Sequence, residues 1–125
     1  MLSSVESRNI DFFNACESVR KKHPSLSVSE LAAIAVKKRA PSFYLTDFQI
    51  AKIVRQIRNG TLVFPNGVKG ECYREIMRNY FLFSDSFRIA HPTIVVKSIA
   101  DLEAPRFYMS DARATSLYYE LLKRK

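Results

Sequence analysis

Ala40-Pro41-Ser42-Phe43-Tyr44-Leu45-Thr46-Asp47-Phe48 is read again 64 residues later as Ala104-Pro105-Arg106-Phe107-Tyr108-Met109-Ser110-Asp111-Ala112. Ala, Pro, Phe, Tyr and Asp are identical, and Leu/Met and Thr/Ser are conservative exchanges. Self-similarity at a period of about half the 125-residue chain means two copies of one unit. Each proline disfavours helix in the residue before it, so both copies break at the same place. Thr46 and Ser110 are N-cap residues, and Asp47 and Asp111 put a carboxylate at the positive end of the helix that follows. Gln49 completes a capping box in the first copy, whereas Arg113 does not in the second. The motif is a helix stop, an aromatic connector and a helix start. Phe43, Tyr44, Phe107 and Tyr108 are expected to pin each connector to the core of its own unit.

Upstream of the first motif, residues 5–22 lack Pro and Gly, and Phe12, Cys16 and Val19 recur at helical spacing; His23-Pro24 ends this helix. A second helix opens at Ser27, whose partner in a capping box is Glu30, and runs through Leu31-Ala32-Ala33-Ile34-Ala35-Val36 to close on Lys37, Lys38 and Arg39. The third begins after Thr46. At 100° per residue Ile50, Ile53, Val54 and Ile57 share one arc, while Lys52, Arg55, Arg58 and Asn59 lie opposite, and Gly60 caps the end. Residues 60–70 hold all three glycines and read as a wing hairpin or a linker. The linker is favoured because Val68-Lys69 is too short a second strand. The second copy repeats the plan, with helices from Glu71 to about Phe83, from Pro92 or Thr93 to Leu102, and from Ser110 to about Lys123.

Core positions keep their character between copies: Ala114, Leu117, Tyr118 and Leu121 align with Ile50, Ile53, Val54 and Ile57. Surface positions do not. Ser116, Tyr119 and Leu122 replace Lys52, Arg55 and Arg58, so the last helix is apolar on both sides.

The chain carries 20 Lys and Arg against 12 Asp and Glu, a net charge of +8, which calls for an acidic partner. Residues 1–64 hold ten basic against five acidic residues, and residues 65–125 ten against seven. From Phe48 to Lys69 there is no acidic residue at all. No run approaches the roughly 20 apolar residues of a membrane span, and two cysteines without metal-ligand spacing read as reduced core residues, which leads to the expectation of a cytoplasmic protein. With two histidines, scattered carboxylates and no phosphate loop or metal-ligand cluster, neither an enzyme nor a cofactor or metal is expected.

The Ala-Pro-x-Phe-Tyr-(Leu/Met)-(Thr/Ser)-Asp connector resembles one in small uncharacterised bacterial proteins of helix-turn-helix-like layout. The resemblance covers the two motifs and the helices beside them. It implies a helical, helix-turn-helix-like layout, is not specific to any activity, and assigns no residue a role.

The sequence therefore predicts an all-α protein of two tandem three-helix repeats, 1–64 and 65–125, packed as one domain of roughly six helices. Its expected function is non-enzymatic binding of nucleic acid, duplex DNA in the helix-turn-helix reading. Lys52, Arg55, Arg58, Lys37, Lys38 and Arg39 would meet phosphates; Gln49, Gln56 and Asn59 are chemically able to read adenine, with no base readout assigned. The alternative is an adaptor for an acidic protein or a second copy of the chain, docking through Tyr118, Tyr119 and Leu122.

Overall fold

Local signals set the helix starts in the computed structural model, which describes residues 3–82 and 91–124. Ser3 accepts from the Glu6 N–H at 3.1 Å and opens α1, Ser4–Lys22. Ser27 and Glu30 form a reciprocal capping box at the start of α2, Val28–Ala35. Thr46 and Gln49 do the same for α3, Asp47–Asn59, which stops at Gly60 with φ +69, a left-handed turn that glycine takes without steric cost. α4 spans Val68–Leu82 and α5 Pro92–Ala100, with His91 as N-cap and Pro92 at the first position, where a missing N–H is harmless. Ser110 accepts from the Arg113 N–H at 3.1 Å and opens α6, Asp111–Lys123. The described residues are all-α, with six helices and no strand.

Helix boundaries differ in places from the sequence reading, while the linker reading of residues 60–70 stands. α2 stops at Ala35, so Lys37, Lys38 and Arg39 lie beyond its last turn, where Lys37 and Lys38 N–H groups donate to the Ile34 and Ala35 carbonyls in a tighter, three-residue turn. α4 starts three residues before Glu71 because Gly70 allows it: a Cβ there would sit 1.9 Å from the Pro65 carbonyl oxygen. Residues 61–64 pair with nothing in a strand, so the segment is a linker and not a wing. The expected helix end at Phe83 lies outside the described residues.

The chain divides into two compact units, and they cut across the sequence repeats. One takes the chain up to Tyr44 and again from Glu103; the other is Leu45–Leu102. Each therefore combines the first two helices of one repeat with the third helix of the other. The repeat boundary near residue 64 is a property of the sequence pattern, whereas packing follows the exchanged third helices.

In the first unit α2 packs on α1 and α6. Ala32 and Ala35 are fully buried, as small residues at a close helix crossing should be, along with Phe12, Cys16 and Val19 of α1 and Ala114, Leu117 and Tyr118 of α6. The two connectors also meet in this unit, and pin each other. Ala40 and Ala104 exchange both backbone hydrogen bonds at 2.9 Å in a single antiparallel bridge. Phe43 stacks on Tyr108, and Tyr44 on Phe107, both pairs with centroids 6.0 Å apart and planes 8° from parallel. This crossed pairing has the symmetry of a two-fold axis through the bridge. The expectation that each connector serves its own repeat is thus replaced by mutual clasping, and the alanine methyls are small enough for the backbones to touch.

In the second unit α3 packs on α5 and α4. Its core is Ile50, Ile53, Val54 and Ile57 with Cys72, Ile76 and Tyr80 of α4 and Val95, Val96 and Ile99 of α5. Four buried side chains of this size from α3 alone are worth roughly 1.5–3 kcal/mol each, which fixes the rotation of that helix about its axis. What faces outward on α3 follows from that rotation.

Candidate nucleic-acid interface

With the isoleucine face inward, Phe48, Lys52, Arg55 and Asn59 form an exposed stripe at spacings of four, three and four residues along the outer side of α3. Phe48 is 78% exposed. Gln49 and Gln56 flank the stripe on one side. There the first turn of α4 and the linker bound a groove of about 360 Å³, lined by Phe48, Gln49, Lys52, Gln56, Lys69 and Tyr73 among others. Among the described residues no carboxylate lines it. The Gly70 contact with Pro65 draws α4's first turn in against the linker, and Lys69 Nζ sits 5.8 Å from the centre of the Tyr73 ring, within cation–π range. The Arg74 guanidinium lies 5.0 Å over Phe64 in the same unit.

On the other flank, a smaller hollow of about 260 Å³ lies between α3 and α5, lined by Arg55, Arg58, Asn59, Val54, Pro92 and Val96. Arg58 is exposed as a residue, yet its Nε–H donates to the hydroxyl of buried Tyr80 at 3.0 Å. This arginine ties α3 to α4 as well as bearing charge, which separates it from Lys52 and Arg55.

The remaining expected contacts are distributed differently. Lys37, Lys38 and Arg39 are exposed but belong to the first unit, not to the unit that carries α3. Arg39 pairs there with Glu103 at 3.1 Å, a bridge exposed on both sides and so worth little. Tyr118 is not a surface residue. It is 1% exposed, its hydroxyl donates to Glu17 Oε2 at 2.8 Å, and Phe13 meets its ring edge-on. Its alignment with core Val54 explains this: the ring fills the core and the hydroxyl reaches the nearest acceptor. Tyr119 is 53% exposed and Leu122 half-buried, so of the three expected interface residues only Tyr119 presents a large free side chain. Asp47 and Asp111 sit exposed in the first turns of their helices, beside the capping hydroxyls.

Buried thiols and phenols supply no reactive group. Burial, with Glu17 adding to it, pushes the Cys16 thiol up to about 12; burial and Glu75 do the same for Cys72. A nucleophilic thiol needs the opposite shift. Burial and the hydrogen bond to Glu17 likewise raise Tyr118 to about 12, and Tyr44 is raised by burial and by its 2.6 Å hydrogen bond to Asp11.

Phe48, Lys69 and Tyr73 are not among the contacts expected from the sequence. Phe48 was legible, since an aromatic at the start of α3 projects opposite its isoleucine arc. Lys69 and Tyr73 were not, because their approach to α3 depends on the turn at residues 65–70. No family model, curated protein or solved structure matches this chain.

Proposed function

We propose that this chain is a non-enzymatic nucleic-acid-binding protein whose contact surface is the outward face of α3 in the Leu45–Leu102 unit. The observation that supports this most is the composition of one helix face: Lys52, Arg55 and Asn59 exposed in line, with Gln49, Gln56 and Lys69 alongside and no acidic residue between Phe48 and Lys69. An ordinary solvated surface mixes both signs. A run of one sign with amide side chains between suits a polyanion that carries hydrogen-bonding bases.

The experiment is charge reversal. Lys52→Glu with Arg55→Glu, both at exposed positions, should leave the thermal melt within a few degrees of the parent. It should weaken binding of labelled oligonucleotides at least about 10-fold at low salt. Arg58 is left unchanged because its bond to Tyr80 makes it structural. Parent affinity should fall with added salt, with a logarithmic slope of about 0.7–0.9 per phosphate neutralised. Equal binding by parent and variant would refute this assignment of the surface. A second reading, docking of an acidic protein or a second copy on α6, is favoured only by the exposed Tyr119 ring and a groove at Ile10, Phe13 and Leu121.

A further inference from the structure

We infer that the groove beside α3 takes an unpaired nucleobase, so that the form of nucleic acid bound is single-stranded. The inference rests on the nucleic-acid reading of the same helix face and names its ligand more closely.

Exposure of Phe48 is the first observation. A phenyl ring left in water forgoes roughly 1.5–3 kcal/mol of burial, and this one stands at the head of a basic stripe, with Lys52 one turn and Arg55 two turns further along the same side of α3. A flat apolar face beside cations on a single rigid helix is the arrangement on which a base stacks while its phosphates meet the ammonium and guanidinium groups.

Shape is the second. A helix that reads duplex DNA enters the major groove and must project beyond its surroundings. Here the Phe48 side of α3 borders a concavity of about 360 Å³, walled by Tyr73 and by Val63, itself 76% exposed. That volume falls within the ~300–1,000 Å³ typical of small-molecule sites. It accommodates a base that has left its stack, and a double helix does not enter it.

Hydrogen-bonding capacity is the third. The Gln49 amide oxygen accepts from the Thr46 N–H at 2.8 Å, and its NH₂ group remains a donor. Gln56 brings an amide oxygen and an NH₂ group together. Directed at the groove, these suit the edge of a base whose own pairing groups are unused; in a duplex those groups are already taken. Lys52 and Lys69, both lining the groove, supply the phosphate contacts. Because every base has a π-face, affinity should depend on strandedness much more than on sequence.

Fluorescence anisotropy with the full chain tests this, using a labelled thymidine oligomer of about 12 nucleotides, a duplex of the same length, and the same backbone with its bases removed. At about 50 mM salt the single strand should bind at least about 10-fold more tightly than the duplex or the abasic strand. Phe48→Ala should weaken single-strand binding by about 5- to 100-fold and leave the melt unchanged, since the ring is exposed. Equal binding of single strand, duplex and abasic strand overturns the inference while leaving a backbone-binding surface in place. So does a Phe48→Ala variant that binds the single strand as the parent does. If no oligonucleotide binds at low salt, the nucleic-acid reading falls and this one falls with it.

Discussion

Tyr44 stands where the chain leaves the first unit, in the left-handed region at φ +58, a conformation that costs a non-glycine residue roughly 1 kcal/mol or more. Three contacts hold it there: its N–H donates to Ser42 Oγ at 3.0 Å, its hydroxyl donates to Asp11 at 2.6 Å, and its ring stacks on Phe107. Tyr118 is held in the same manner through Glu17. These phenols, with the buried Cys16 and Cys72 thiols, give stability a defined alkaline limit. All four keep their protons in the folded chain well above the ordinary values of 9.0 for the thiols and 10.0 for the phenols, at which the unfolded chain releases them. Above those values the unfolded state binds fewer protons than the folded one, so raising the pH favours unfolding. The denaturation midpoint, measured under reducing conditions, should hold level up to about pH 9 and decline steadily from there towards pH 12. A midpoint unchanged at pH 11 would contradict the burial assigned to these groups.

Helix limits and inward faces were legible in the sequence because their causes are local. The Thr46–Gln49 and Ser27–Glu30 boxes, the Gly60 stop and the arc of Ile50, Ile53, Val54 and Ile57 each lie within one or two turns. The partner of each third helix was not legible. Ala114, Leu117 and Tyr118 offer a core face of the same kind as Ile50, Ile53 and Val54, so periodicity alone suits either helix to either unit. What distinguishes them is non-local: the Tyr118 hydroxyl finds Glu17, 101 residues away in sequence, and the Arg58 side chain finds Tyr80. The groove beside α3 was hidden for the same reason, since it depends on how the 61–67 linker meets α4. Gly70→Ala tests that link. The added methyl would overlap the Pro65 carbonyl oxygen, so the turn must open, at a cost of about 1–3 kcal/mol in chemical denaturation. Lys69 and Tyr73 would then shift away from α3, weakening oligonucleotide binding as well. A variant as stable as the parent would show that the close approach does not shape the groove.

Across the whole molecule, a +8 chain draws polyanions from any direction, so net charge alone predicts some affinity and says nothing of where it acts. The sequence repeat narrows the choice, because its two third helices keep equivalent cores and differ outside. α3 turns Phe48, Lys52, Arg55 and Asn59 to solvent, whereas α6 turns out Ser116 and Tyr119. Charge spread over the first unit includes Lys37, Lys38 and Arg39, an equally basic exposed run. The account therefore stands on location, and backbone amide NMR reads location directly. With a single-stranded oligomer added to the isotopically labelled full chain at low salt, amides from Phe48 to Asn59 and from Lys69 to Tyr73 should shift progressively while those of α1 and α2 stay in place. Shifts gathered instead at Lys37–Arg39 or around Tyr119, or none anywhere, would contradict it.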